Sequence, residues 1–497
     1  MPDSVDLNES GLPVTVHPRV TLRTPGLSGR VRVHESSSEG TRGADDAQDA
    51  FVEAMRRNDI EEDLTVEIDE HRERTESQGT RASGGQDDIV MEVRDPGEAF
   101  GQVVLYESED GVLSWHLPEE GGLEERRTRG SDTLTYRIPR EVALLDPASD
   151  GEQRGILGAA GKKVVKVLTF RLIKEGSAWV GAHFAERVEA QRKPHRLRTL
   201  EPGSHTRPAE AELTSDELRL LGLGRSLLFV HGTFSSAHGG FGRLPVETLR
   251  ELHTRYGGRV FAFDHPTVSK EPQENVAWLA ERLRAVNVRL DVDVVSHSRG
   301  GLVSRVMAER PELGHSNDVI TVNRLVMVGT PNAGTALADV DHLDQLLDRY
   351  LNMLQFVPDN GVTDFLDILL SVLKQVAVGV ASGLDGLMSM NPRGRYLTGS
   401  MNRPGQTSAA YFAAAANYEP PQGSKLVRIA RDVGTDLVFG KEHNDLVVPT
   451  EGVFTVPGAS TFPVVDPLVF DAATAVDHSG YWVRPELNDR LLDWLPG

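Results

Sequence analysis

The stretch from Leu290 to Val303 constrains this chain more than any other. It begins as a short run rich in Val (Val292, Val294, Val295), and branched side chains of that kind favour a strand. The run meets Ser296, His297, Ser298, Arg299, Gly300 and Gly301, then continues into a helical pattern. A strand that turns this tightly into a helix holds the residue at the apex, Ser298, in a strained conformation with its hydroxyl clear of the sheet. Small residues two before and two after the apex let strand and helix pass close together. Gly300 fits that need, Gly301 stands behind it, and Ser296 is small. Short patterns of this kind also recur by chance in ordinary turns, so the surrounding chain decides what this one means.

From Leu218 onward, strand and helix patterns alternate regularly, which predicts an α/β unit with a mostly parallel sheet. Ser226 to Val230 reads as a strand ending in His231, Gly232, Thr233 and Phe234. Arg259 to Phe263 is a second, and Glu274 to Val288 is an amphipathic helix with Val276, Leu279, Ala280, Leu283 and Val286 on one face. After the Ser298 turn a helix runs through Met307. Leu325 to Val328 is the next strand and leads into Gly329-Thr330-Pro331-Asn332-Ala333-Gly334-Thr335. Leu426 to Ala430 and Thr435 to Phe439 read as later strands. The loop Asn444-Asp445-Leu446-Val447-Val448-Pro449, then Asp477, His478 and a last helix from Arg484 to Leu495 complete the chain.

With those motifs in this order, the chain from about Leu218 to Gly497 resembles the α/β-hydrolases. More narrowly it resembles the lipase-like esterases, including relatives of the GPI inositol deacylases and bacterial hydrolases of unassigned function. Ser296 departs from that family's usual glycine. The resemblance implies a serine–acid–histidine order, met here by Ser298, Asp445 and His478. It also implies an oxyanion hole from the backbone N–H groups of Thr233 and Arg299, with His231 bracing the first of those loops. The chemistry requires these types: a serine hydroxyl is a poor nucleophile until a histidine takes its proton, and the imidazole needs an acid to orient it. His443 is a rival base, but it stands two residues before Asp445 and would break the family order. Asp471 and Asp477 are rival acids close to His478 in sequence. The Arg299 side chain is expected either to pair with an acid or to touch a substrate headgroup.

The remaining sequence bounds the setting. A net charge of −21 over 497 residues argues against a nucleic-acid groove and against adsorption to an anionic membrane by charge. Absence of cysteine removes disulfides and thiolate sites. No apolar leader and no membrane-length apolar run is present, so a soluble, cytoplasmic protein is expected. The expected domains are a largely flexible acidic region over 1–88, a small β-rich domain over 89–192, a linker over 193–215 and the α/β-hydrolase domain over 216–497. Within 1–88 only Ala47 to Arg57 reads as helix, and Glu109-Asp110-Gly111 reads as a hairpin turn in the β-rich part.

The interval 336–390 is too long for a simple connection. Phe365, Leu366, Ile368, Leu369, Leu370, Val372, Leu373, Val376, Val378 and Val380 give it a broad apolar face, while Asp364, Asp367, Lys374 and Asp385 rule against a membrane span. It is either a buried helix pair or a helical lid lining an acyl pocket. The expected activity is hydrolysis of carboxylic esters of lipid or other hydrophobic substrates, with no cofactor or metal and with transient contact with a lipid surface. A thioesterase, amidase or acyltransferase on the same triad stays open. So do a non-catalytic interaction module and an effector controlled by a protein partner or protease acting on the N-terminal region.

Overall fold

The computed structural model describes residues 4–35, 46–73, 88–109, 112–119, 132–139, 162–172, 174–175, 178–179, 184–208, 212–353, 362–405, 407–419, 439, 442–459 and 461–497. The N-terminal elements are β1 (Val5–Leu7), β2 (Val14–His17), β3 (Val20–Arg23), β4 (Leu27–Glu35), α1 (Asp46–Arg57), β5 (Ile60–Glu73), β6 (Ile89–Arg94), β7 (Phe100–Glu107), β8 (Leu113–His116), β9 (Thr133–Ile138), β10 (Lys163–Arg171), β11 (Lys174–Glu175), β12 (Ala178–Trp179) and α2 (Phe184–Arg192). Six of the strands form a sheet in the order β1-β4-β5-β10-β7-β8, and four form a second sheet, β2-β3-β6-β9. β7 is buried from Gly101 to Glu107, and its two faces serve different cores. Val104 and Tyr106 pack with Met91, Val165 and Val167 inside the β unit, whereas Val103 and Leu105 join a larger core that runs into the C-terminal half.

Residues 4–35 and 46–73 thus hold five strands and a helix, which corrects the flexible region expected over 1–88. The helix expected at Ala47 to Arg57 is α1. The strands escaped notice because they are charged on one side. In β5, Leu64, Val66 and Ile68 are fully buried while Asp63, Thr65, Glu67 and Asp69 alternate with them, so mean hydropathy stays low although one face is a core face. The β-rich strands after Ile89 share both sheets with the residues before them and form no separate unit. Asp110 and Gly111 of the expected hairpin turn lie outside the described residues.

The C-terminal elements are β13 (Arg196–Thr199), α3 (Ser215–Leu221), β14 (Ser226–Val230), α4 (Ala237–Phe241), α5 (Val246–Arg255), β15 (Val260–Asp264), α6 (Pro272–Ala285), β16 (Leu290–His297), α7 (Gly300–Glu309), β17 (Ile320–Val328), α8 (Leu343–Met353), α9 (Val362–Ala377), α10 (Asp385–Met388), β18 (Ala410–Ala416), β19 (Leu468–Phe470) and α11 (Pro485–Trp494). β14 and β15 are buried at every position, as strands covered on both faces should be. The sheet order is β13-β15-β14-β16-β17-β18-β19, parallel except for β13. Helices flank this sheet and a tight turn follows its central strand: this is the α/β-hydrolase fold. β13 corrects the expected linker over 193–215, since Leu197 and Arg198 are buried in the sheet edge against β15. β18 was missed because it is mostly alanine, a weak strand former that is used here for its small size. Of the two strands expected between Leu426 and Phe439, only Phe439 lies among the described residues.

The insertion after β17 is helical, as α8, α9 and α10, but it is not a free lid. Leu366, Ile368, Leu369, Leu370, Val372 and Leu373 are all buried. Three polar residues of α9 reach the N-terminal half. Asn58 Nδ2 donates to Asp367 Oδ1 at 3.2 Å, Lys374 Nζ donates to the Asn58 carbonyl at 2.6 Å, and the Ala185 N–H donates to Gln375 at 3.3 Å. α9 is apolar on more than one face because α1 and α2 cover one side while α8 and Phe234 of the C-terminal half cover another. Of the apolar residues expected to line a pocket, Phe365 lines the cleft over Ser298. No described helix is long and apolar enough to cross a membrane.

Candidate active site

β16 delivers Ser298 to the carboxyl end of the central strand, where ligand sites of open α/β sheets lie. Ser298 has φ of +53°, a left-handed conformation costly for a residue with a Cβ, and its N–H donates to the Val328 carbonyl at 2.9 Å. The turn can be that tight only because Gly300 has no side chain, since a Cβ there would lie 2.3 Å from the Val230 carbonyl oxygen. Gly232 meets the same limit, as its Cβ would fall 2.6 Å from that of Ser298. Ser296 is accommodated by donating its hydroxyl to the Val326 carbonyl at 3.0 Å.

The residues that the sequence singled out converge here. Ser298 Oγ lies 2.9 Å from His478 Nε2, and His478 Nδ1 lies 2.8 Å from Asp445 Oδ2. Asp445 follows β18 and His478 follows β19. The acid loop docks on the end of β18 through the Tyr418 N–H, which donates to the Asn444 carbonyl at 2.8 Å. Asp445 Oδ1 accepts the N–H groups of Val447 and Val448, and Oδ2 also accepts the Tyr481 hydroxyl at 2.8 Å. Burial pushes this carboxyl up, but the charge and hydrogen bond of His478, the Val448 N–H and the Tyr481 hydroxyl outweigh it and hold Asp445 below its ordinary value. A carboxylate fixed in this way orients the imidazole, which in turn can take the serine proton.

The rival residues lie elsewhere. His443 is exposed. Asp471 caps a turn through the N–H groups of Ala473 and Thr474, and Asp477 accepts from Ser479. His297 donates Nε2–H to the His478 carbonyl at 2.9 Å, and burial, then its neighbour His478, depress it to about 3, so it stays neutral and braces the histidine loop. His231 accepts the His265 N–H on Nε2, so its Nδ1–H donates to the Gly232 carbonyl at 3.0 Å and it braces the Gly232 loop.

The N–H groups of Thr233 and Arg299 have no acceptor among the described residues, whereas the next N–H, of Phe234, is taken by Thr267 Oγ1 at 3.1 Å. The Arg299 side chain does neither thing expected of it. It is fully buried and donates to the carbonyls of Gly386 and Lys270, tying α10 to the loop after β15. Burial lowers it to about 10.

Sequence reasoning missed Glu189 and Tyr481. Glu189, in α2, is fully buried and accepts from the N–H groups of Thr267, Val268 and Ser269 and from the hydroxyls of Thr267 and Ser269, at 2.6–3.2 Å. Through Thr267 it fixes Phe234, which has φ of +57°. One acid in an ordinary helical pattern carries no signal of that role. A cleft opens over Ser298, lined on its apolar part by Phe234, Tyr350, Phe365 and Trp482 and on its polar part by Lys193, Ser235, Ser236, Arg243 and Ser479.

Among solved structures, the chain is similar to a Bacillus licheniformis lipase in its mature form, with 20% identity over 55% of this chain and 91% of that one and a TM-score of 0.34. It is similar to lipase 1 of Pelosinus fermentans, with 14% identity over 54% of this chain and 98% of that one and a TM-score of 0.34. A third similar structure is a putative α/β hydrolase family protein of Desulfitobacterium hafniense, with 14% identity, 55% and 96% coverage and a TM-score of 0.30. No curated protein matches. Residues 14–172 match a family described as a domain of unknown function, DUF7362. Residues 192–496, more than half of the chain, match another family model, and the chain therefore belongs to the family described as a domain of unknown function, DUF7379.

Proposed function

We propose that this chain is a serine hydrolase that cleaves carboxylic esters with a hydrophobic part, through an acyl-enzyme on Ser298. The observation that carries this reading is the unbroken relay from Ser298 Oγ through His478 to Asp445, with both hydrogen bonds under 3 Å. Ser298 Oγ attacks the ester carbonyl carbon while His478 Nε2 takes its proton. The negative oxygen of the tetrahedral intermediate meets the N–H groups of Thr233 and Arg299. Collapse breaks the bond to the alcohol oxygen, and His478 returns the proton to that leaving group. Water then attacks the acyl-enzyme carbonyl while His478 takes one of its protons; collapse breaks the bond to Ser298 Oγ, which receives that proton from His478, and releases the acid. The Phe234, Tyr350 and Phe365 side of the cleft supports a hydrophobic group on the ester.

A fluorophosphonate probe tests the reading directly. Labelling should fall on Ser298 in the native chain and vanish in Ser298→Ala, which should also lose at least about 10³-fold in turnover of p-nitrophenyl butyrate while its circular dichroism is unchanged. Labelling of another serine, or full activity in Ser298→Ala, would refute it.

A further inference from the structure

Tyr350 sits on α8 and reaches the cleft from the insertion. The residue is only 6% exposed, and its hydroxyl oxygen is buried with no hydrogen bond of good geometry among the described residues. Its ring packs edge-on to Phe234, with centroids 4.9 Å apart, and at 89° to the His478 ring at 6.5 Å. The hydroxyl faces the Ser298 and Thr233 hydroxyls closely enough for weak hydrogen bonds, and lacks only a partner at good geometry. A buried donor left unpaired is costly, and phenylalanine would fill the same space without that cost. Trp482 is another cleft residue with an orphaned buried donor, but its ring packs on Phe241 and His297, behind the histidine loop. Tyr350 faces the serine itself.

Its helix is fixed by residues on either side of it in sequence. The Trp115 N–H donates to Asp348 at 2.7 Å and the Leu113 N–H to Asn352 at 3.0 Å, which pins α8 to β8 of the N-terminal half. Arg349 donates to the carbonyl of Leu446, the neighbour of Asp445. A hydroxyl held this firmly needs no rearrangement when charge develops in front of it, the condition under which such a donor contributes most.

We propose that Tyr350 is a catalytic residue whose phenol donates a third hydrogen bond to the oxyanion formed on Ser298, beside the N–H groups of Thr233 and Arg299. The inference rests on the hydrolase reading of Ser298. The phenol transfers no proton. Its hydrogen bond forms as the carbonyl oxygen becomes negative and weakens when the carbonyl is restored. Burial raises the phenol well above its ordinary value, so it remains a donor throughout the working pH range.

Tyr350→Phe tests this, because loss of a merely structural orphan hydroxyl should leave stability equal or higher and activity untouched. The expected result is a fall of roughly 10–10³-fold in kcat for p-nitrophenyl butyrate with KM within about twofold. A trifluoromethyl ketone, which forms the same oxyanion on Ser298, should lose affinity in parallel, and the unfolding midpoint should not fall. Unchanged kcat and ketone affinity, or a rise in KM alone, would overturn the proposal. Should the native chain neither react with fluorophosphonate at Ser298 nor turn over any ester, the hydrolase reading itself fails and Tyr350 loses its role with it. Tyr350→Leu, which also removes the ring, separates packing from chemistry: a folded Leu variant that loses kcat while Phe keeps the native kcat would assign the effect to the ring and again overturn the proposal.

Discussion

The Ser298 turn and the helical insertion bound the same cleft, yet opposite means hold them. The turn is built from neighbours in sequence and in the sheet: β16, two glycines without which the backbones would collide, and a positive φ at the serine itself. The insertion is held by residues hundreds of positions away. Asp348 and Asn352 accept N–H groups of β8, Asp367 accepts the amide of Asn58 just after α1, Lys374 donates to the Asn58 carbonyl, and Gln375 accepts an N–H of α2. Ser298 therefore belongs to the seven-stranded sheet, while the wall opposite it belongs to an interface between the two halves of the molecule. What looks like an appended β unit is part of how the cleft is closed.

Removing that unit is the strongest way to break the comparison. A fragment spanning Phe184 to Gly497 keeps β13, Glu189 and the whole seven-stranded sheet, but strips α1, β7 and β8 from the insertion. It should expose the outer apolar side of α9 and aggregate, or lose near-ultraviolet circular dichroism, while the full chain stays monodisperse. A well-folded fragment with native ester turnover would mean that the hydrolase half closes its own cleft.

The contrast also explains what could be read beforehand. Ser298, Asp445 and His478 were legible because the chemistry limits their types and chain topology their order, and the structure brings these three side chains into hydrogen-bond contact; Thr233 and Arg299 came from the resemblance alone, since any non-proline residue supplies a backbone N–H. Glu189 and Tyr350 could not be found that way. Each acts through a contact with a distant segment, and nothing beside either in sequence marks the contact. The apolar excess of α9 was visible, but a helix buried on two sides and a lid waiting for lipid have the same composition. β13 and β5 hid for a related reason: a short edge strand and a strand charged on one face both resemble linker until their partners are known.

A smaller but sharper effect is expected inside the insertion. Leu369 and Leu373 are both fully buried, so Leu369→Ser with Leu373→Ser should cost about 2–5 kcal/mol per side chain. Activity on dissolved and on aggregated ester should fall together with the folded fraction, since the helix is a core element clamped by α1 and α2. A double variant with a native unfolding midpoint but a blunted response to substrate aggregates would restore the mobile lid.

The smallest effect concerns Lys374, whose ammonium lies at the interface between α9 and the N-terminal half. It donates to the Asn58 carbonyl and stands 4.6 Å from the Phe184 ring centroid and 5.3 Å from that of Phe170. Burial pulls it down to about 8, and the nearby Asp59 offsets only part of that shift. In the unfolded chain the same group titrates near its ordinary 10.5. Below about pH 8 both states carry the proton, and the cost of burying the charge is fully present. Between there and pH 10.5 the unfolded chain holds a proton that the folded chain has released, so this group's contribution to stability improves as pH rises. Lys374→Met removes both the cost and the slope. At pH 7 the variant should be as stable as the native chain or more so, by about 1 kcal/mol, because the lost bond to Asn58 sets off part of the gain. By pH 10 the native chain should have closed that gap, and paired thermal melts at the two values measure it. An identical pH dependence in both proteins would place the ammonium in water, which requires α9 to stand away from α1 and α2, and the insertion would then be as independent of the N-terminal half as the serine turn is.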